Sequence, residues 1–106
     1  MKRLMAAALA VGLCGSLQAV DPKALERQLE TVEGEERVRL LNELSAATRD
    51  SAPRESAEWA AEAEELAERI GDEPGRARSL NSLGVAHYLL ADYESALNYY
   101  AESLKL

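Results

Sequence analysis

The side chains of this chain that could carry out chemistry are few and scattered. His87 is the single histidine and Cys14 the single cysteine, whereas Asp and Glu together number 19. A zinc site needs about four nitrogen or sulfur ligands, so we predict no metal site and no cofactor. The sequence contains no glycine-rich phosphate loop and no nucleophile motif, and its carboxylates follow solvent-facing spacing. We therefore expect a protein that is not an enzyme.

Residues suited to binding are easier to identify than catalytic residues, because a short polar motif occurs twice. Arg39-Leu-Leu-Asn-Glu-Leu44 returns later in the chain as Arg78-Ser-Leu-Asn-Ser-Leu83. Arginine can hold a carboxylate through two hydrogen bonds, and asparagine can pair with the amide groups of an extended peptide. Alternatively, Asn42 and Asn81 are ordinary polar residues on a solvated helix face. The recurrence of the motif favours a binding role without deciding between the two.

The net charge limits which partners the chain can bind, and its length limits the number of domains. The 106 residues carry a net charge of −7, and because residues 1–19 hold two basic residues and no acid, the remainder carries −9. A nucleic acid needs a basic surface, so we expect no nucleic-acid partner. We also expect no small-molecule substrate, and a protein or peptide as the partner. The length allows one small domain at most.

The elements that must position the motif read as helices. Apolar residues recur at spacings of three and four on both sides of Ala91-Asp92, which predicts an antiparallel helix hairpin over 77–104. Gly84 lies inside the first of these helices, where glycine costs about 1 kcal/mol relative to alanine. We expect it to permit close approach of the partner helix, with Ala96 as the matching small residue.

Helix start and stop signals divide the rest of the chain. Asp21-Pro22 predicts a first short helix that ends at Gly34, and Glu35–Asp50 predicts the next. Ser51-Ala-Pro53 breaks the pattern, and a longer helix follows to Ile70, with Gly71 as its stop. Asp72-Glu-Pro74 then starts the helix that carries the second motif.

The later hairpin resembles the tetratricopeptide repeat. The residues that carry the resemblance are Leu80-x2-Leu83-Gly84-x2-His87 and Ala96-x3-Tyr100. The first copy is degenerate, with Ser45 at the glycine slot. The alignment that sets Arg39 over Arg78 also sets Glu55-Ser-Ala57 over Glu94-Ser-Ala96. Trp59 falls over Tyr99 only when the offset is lengthened by one, and the sequence leaves both alignments open.

The resemblance implies an all-α fold in which antiparallel helix hairpins stack as an α-solenoid, with the last helix truncated. We assign residues 20–34 to a capping helix or degenerate repeat, 35–76 to the first repeat and 77–106 to an incomplete second. The residues expected to pack the repeats are Leu41, Leu44, Ala57, Leu80, Leu83, Gly84, His87, Tyr93, Ala96 and Tyr100.

The resemblance also implies a function, that of a non-catalytic scaffold for a protein or peptide. The residues that would line its groove are Arg39, Asn42, Arg78, Asn81, Val85 and Tyr88. An open C-terminal end allows self-association. Alternatively, the chain is the sensory N-terminal region of a bacterial signalling enzyme, a histidine kinase or diguanylate cyclase, whose catalytic domain lies beyond it.

The N-terminus reads as an export signal. Lys2 and Arg3 precede an apolar run from Leu4 to Leu17, and Leu17-Gln-Ala19 offers a small-residue cleavage site. We therefore predict a signal peptide over 1–19 and a periplasmic or secreted protein. Alternatively, an uncleaved N-terminal segment anchors the chain to the inner membrane.

Overall fold

The protein is all α-helical over the part that the structure, a computed structural model, describes, which is residues 21–106. The predicted signal peptide lies outside the described residues. Five helices and no strand occur in this part of the chain. They are α1 (Pro22–Leu29), α2 (Gly34–Thr48), α3 (Pro53–Ile70), α4 (Glu73–Leu89) and α5 (Tyr93–Leu104). Each helix packs against the next, and α2 also contacts α4, which confirms the predicted stack of helix hairpins.

Aspartate is the N-cap residue of three of the five helices described in residues 21–106. The carboxylates of Asp21, Asp72 and Asp92 accept hydrogen bonds from backbone N–H groups in the first turns of α1, α4 and α5. Such caps satisfy donors that have no partner inside the helix. The expected stop after α3 is also present, because Gly71 adopts the left-handed conformation there, with φ of 76°.

One predicted helix end is wrong. Gly34 was expected to close the first helix, but α1 ends at Leu29 and Gly34 is the first residue of α2. Its φ of 62° lies in the left-handed region that glycine adopts without strain. Gly34 therefore sets the turn into α2.

The larger of the two hydrophobic clusters found among residues 21–106 joins α1, α2 and α3. Leu40, Leu41 and Leu44 of α2 are at most 1% exposed, and Leu25 and Leu29 of α1 pack against the same cluster. Because burying a leucine contributes about 1.5–3 kcal/mol, α1 stabilises the N-terminal end of the stack. The short first helix therefore covers apolar surface of the first hairpin.

The second cluster is smaller and connects the two hairpins. Ala60 of α3 packs against Leu80 and Leu83 of α4, and Ala57 and Tyr99 lie at its margin. Because alanine side chains are small, α4 can approach α3 closely, although each alanine buries less apolar area than a larger residue would.

None of the helices described in residues 21–106 combines the length and apolar character needed to cross a bilayer.

The residues assigned to repeat packing divide by burial. Six are buried: Leu41, Leu44, Leu80, Leu83, Gly84 and Ala96. Ala57, His87 and Tyr100 are half-buried. Tyr93 is 57% exposed, and its ring lies against that of Tyr88, with centroids 5.3 Å apart.

Close approach at Gly84 is present, but the neighbour differs from the expected one. A Cβ atom on Gly84 would lie 2.5 Å from Cε1 and 2.7 Å from Cδ1 of Tyr100. The missing side chain therefore leaves room for the aromatic ring of Tyr100, which lies one turn beyond Ala96 on α5.

Candidate functional site

The two copies of the polar motif lie side by side along the seam between α2 and α4. Two hollows open on this seam. The first, of about 280 Å³, has Arg39, Asn42 and Arg78 in its wall, and the second, of about 430 Å³, has Asn42, Arg78 and Asn81. The tertiary structure therefore brings together four of the six residues that the sequence assigned to a groove.

The second hollow, which we call the seam hollow, contains no carboxylate in its wall. Its lining residues are Asn42, Ala46, Arg49, Ala77, Arg78, Asn81 and Ser82. Within residues 21–106, neither Arg49 nor Arg78 forms an ion pair. Two guanidinium groups beside amide and hydroxyl groups make this a cationic recess on a chain whose net charge is −7. An acidic ligand would meet only attractive charges there.

Arg39 lies in a different electrostatic setting. Its guanidinium forms ion pairs with Glu36 and Glu43 on the same helix. The hydrogen bond to Glu36, supported by Glu43, raises the pKa of Arg39. The first hollow also has Glu35, Glu36 and Asp72 in its wall, so it offers a ligand charges of both signs.

Asn42 does not play the part assigned to it from the sequence. Its side chain is 2% exposed, and both ends of the amide are engaged with α4. The Nδ2 group donates to the backbone carbonyl of Gly75 at 3.3 Å, and Oδ1 accepts from Ser79 Oγ at 3.0 Å. An amide already bonded on both sides is not free to pair with a peptide, so Asn42 holds α4 against α2.

The remaining groove residues lie further along α4. Asn81 is exposed, and its side chain makes no hydrogen bond within the described part of the chain. Val85 is half-buried and Tyr88 is 56% exposed, and neither lines the two hollows on the seam. Only Arg78 and Asn81 therefore offer free polar groups to the seam hollow among the predicted residues.

Four residues that line the seam hollow were not predicted from the sequence: Ala46, Arg49, Ala77 and Ser82. Ala46 and Arg49 follow Asn42 at helical spacings of four and seven, and Ser82 follows Arg78 at a spacing of four. That spacing places them on the same helix faces. Extending the first copy of the motif by helical periodicity predicts Ala46 and Arg49, whereas Ser82 lies inside the second copy and Ala77 directly precedes it.

Metal chemistry finds no support in the described part of the chain. No group of three or more His, Cys, Asp or Glu side chains in residues 21–106 could hold a metal ion. His87 Nδ1 lies 3.2 Å from Asp92 Oδ2, and its ring lies 5.2 Å from that of Tyr99. These contacts place His87 in the α4–α5 hairpin, where it links the end of one helix to the start of the next.

Comparison with known proteins gives one positive finding. A family model described as tetratricopeptide repeat matches residues 36–106, which is about two thirds of the chain. No curated protein and no solved structure matches the sequence. The matched residues begin in α2 and include the whole of the seam hollow.

Proposed function

Because the chain belongs to the tetratricopeptide repeat family, we propose that it is a non-catalytic scaffold that binds a protein or peptide through the seam hollow between α2 and α4. Members of this family typically bind protein partners, and catalysis is not their usual role. The proposal extends that general role to a place on this molecule and to a chemical class of partner.

The observation that carries the proposal is the charge of the seam hollow. Arg49, the C-cap residue of α2, and Arg78 from α4 line it together, and no acidic residue does. Asn81 and Ser82 add hydrogen-bonding groups on the same wall. Because a guanidinium holds a carboxylate through two parallel hydrogen bonds, the favoured partner is a segment rich in Asp or Glu, or a free C-terminal carboxylate.

Fluorescence anisotropy with labelled peptides tests this directly. The probes are a short peptide of alternating glutamate and serine and its counterpart with glutamine in place of glutamate. We expect the acidic peptide to bind roughly tenfold or more tightly, since charge-assisted hydrogen bonds contribute about 1.5–3 kcal/mol each. The preference should weaken as salt is raised, because the hollow is open to solvent.

A pair of charge-matched variants locates the binding. Arg49→Gln combined with Arg78→Gln should reduce affinity for the acidic peptide by about tenfold or more. Arg54→Gln combined with Arg69→Gln removes the same charge from exposed positions on α3 and should leave affinity near that of the parent chain. Equal losses in the two variants would mean that only net charge matters, and the proposed hollow would be wrong.

Two further predictions concern the location of the protein in the cell and an alternative function. Export to the periplasm or secretion depends on residues 1–19 and stays a prediction. The alternative, a sensory region of a histidine kinase or diguanylate cyclase, would require a membrane helix and a catalytic domain after Leu106 in the same open reading frame. Sequencing the gene beyond that codon distinguishes it from the scaffold.

A further inference from the structure

The two hollows on the seam between α2 and α4 adjoin one another. Asn42 and Arg78 line both of them. On the α2 side, the first hollow is lined by residues between 35 and 42 and the seam hollow by residues between 42 and 49. On the α4 side, the corresponding residues lie between 72 and 78 and between 77 and 82. Both sides therefore pass the hollows in the same order, and together the hollows form one track along the seam.

The two ends of this track differ in charge. The seam hollow is the cationic end, since its wall has two arginines and no carboxylate. In the first hollow, Arg39 is already held in ion pairs with Glu36 and Glu43. The wall also contains the carboxylates of Glu35 and Asp72, neither of which forms an ion pair within residues 21–106. The first hollow is therefore the anionic end.

These two carboxylates have oxygens available to a ligand. Glu35 is exposed, and its side chain makes no hydrogen bond within the described part of the chain. Asp72 is half-buried, and its Oδ1 accepts from the backbone N–H of Gly75 at 3.0 Å, whereas its Oδ2 accepts no hydrogen bond from residues 21–106. Because a charged donor makes a stronger hydrogen bond to a carboxylate than a neutral one does, a lysine or arginine side chain fits here.

We propose that the peptide bound by the seam hollow carries a basic residue close to its acidic one, and that the first hollow binds this basic residue. This inference rests on the proposed function, because it assigns a second contact to the same peptide. A partner with both charges meets attractive charges at both hollows, whereas a uniformly acidic segment meets like charge at the first. The charge order of the track thereby selects among acidic partners.

The length of the track sets the spacing of the two charges on the peptide. On α2, the stretches that line the two hollows are centred about seven residues apart, which is roughly 10 Å at a rise of about 1.5 Å per residue. The stretches on the α4 side are centred roughly 7 Å apart. An extended peptide advances about 3.3–3.6 Å per residue, so the basic residue lies about two or three positions from the acidic one.

Fluorescence anisotropy with three labelled serine-rich peptides tests this spacing on the parent chain. Each peptide has two adjacent glutamates. The near-lysine peptide has a lysine three positions from the closer glutamate, and the glutamine peptide has glutamine there instead. The distant-lysine peptide has its lysine about eight positions away, roughly 26 Å in an extended chain. Each is made in both sequence orders, because the track does not fix the direction in which a peptide lies.

We expect the near-lysine peptide to bind about twofold to fivefold more tightly than the glutamine peptide in one of the two orders, an effect of the size expected for a solvent-exposed ion pair. The distant-lysine peptide should bind like the glutamine peptide, because its lysine cannot reach the first hollow while the glutamates occupy the seam hollow. Since the two lysine peptides have equal charge, their comparison removes the general attraction of a basic group to a chain of net charge −7.

A pair of charge-matched variants locates the contact. Glu35→Gln combined with Asp72→Asn removes both carboxylates and keeps an N-cap side chain at position 72. This variant should lose the preference for the near-lysine peptide. Glu94→Gln combined with Asp21→Asn is the control and should keep it. Glu94 is the second residue of α5 as Glu35 is of α2, and Asp21 is the N-cap residue of α1.

Two results would overturn this inference alone. The first is a near-lysine peptide that binds no more tightly than the other two peptides in either order. The second is a preference for the near-lysine peptide that survives Glu35→Gln with Asp72→Asn, because the lysine would then bind elsewhere. Both leave the seam hollow in place, since the glutamine peptide still binds. Failure of the glutamine peptide to bind the parent chain would instead overturn the proposed function and this inference with it.

Discussion

The hydroxyl oxygens of Ser45 and Ser56 lie 2.9 Å apart in the buried contact between α2 and α3. Ser56 Oγ also donates to the carbonyl of Ser45 at 2.7 Å. When each helix is aligned with its counterpart from its first residue, the corresponding positions in the next hairpin are Gly84 and Ala96. At these positions one hairpin has a hydrogen-bonded serine pair, whereas the other has two small residues, and the ring of Tyr100 lies against Gly84.

The serine pair predicts unequal effects of two similar substitutions. Ser56→Ala leaves the Ser45 hydroxyl buried without its side-chain partner and should cost about 1–3 kcal/mol. Ser45→Ala should cost less, because Ser56 keeps its bond to the backbone carbonyl. The double variant should cost less than the sum. Urea unfolding followed by the fluorescence of the single tryptophan, Trp59, measures all three, and strictly additive costs would contradict the pairing.

The contact between Gly84 and Tyr100 predicts a change of sign. Gly84→Ala forces the tyrosine ring to move, and overpacking of this kind costs about 1–3 kcal/mol. In a Tyr100→Ala background the same change should instead stabilise the chain by about 1 kcal/mol through helix propensity. Thermal and urea unfolding of the four chains gives the comparison. Destabilisation of equal size in both backgrounds would show that the ring is not the obstacle.

Ala91, between α4 and α5, is the one non-glycine residue of the described part with a positive φ, at 65°. An L-residue pays roughly 1–2 kcal/mol for this conformation, which glycine adopts freely. Ala91→Gly should therefore raise the free energy of unfolding by about 1 kcal/mol. Ala101→Gly, at an exposed position inside α5, is the matched control and should lower it by about 0.5–1 kcal/mol. Destabilisation by Ala91→Gly would refute the strain at this turn.

Asp92 predicts a contribution to acid stability. Hydrogen bonds from Ser95, and then from His87, hold the pKa of the Asp92 carboxyl below its usual value. A lowered folded-state pKa stabilises the fold above the pKa of the unfolded chain, and this contribution is lost as pH falls through the folded value. Asp92→Asn keeps a capping side chain but has no such dependence. The difference in urea midpoint between parent and variant should shrink as the solution is acidified from neutral pH through the folded-state pKa, and a constant difference would argue against it.

Export is tested at the N-terminus itself. The basic start and the apolar run predict cleavage after Ala19 and a mature chain that begins at Val20. N-terminal sequencing of protein recovered from the periplasm or medium gives the result directly. Recovery of intact Met1 from a soluble cytoplasmic fraction would rule out the signal peptide.

Apolar residues at spacings of three and four, together with local start and stop signals, determined the helices. Asp72 and Asp92 cap helices through their own neighbouring backbone, and Gly71 ends one through its own φ. Gly34 misled for the same reason, since a glycine with positive φ serves either side of a turn. The glycine thus indicated that a helix boundary lies nearby, but it did not indicate whether a helix ends or begins there.

The tertiary structure decided between the two repeat alignments that the sequence left open. It assigned one alignment to each pair of helices: α2 matches α4 at the offset that joins Arg39 to Arg78, and α3 matches α5 at the longer offset that joins Trp59 to Tyr99. The offsets differ by one residue because α4 is two residues longer than α2, whereas the turn that follows α4 is one residue shorter.

The structure also distinguished Asn42 from Asn81, two identical residues in matched motifs. A following helix buries the amide of Asn42, and no described helix lies in front of Asn81. The pattern of residue types determined the repeat, whereas the role of each asparagine depends on whether a neighbouring helix satisfies its hydrogen bonds.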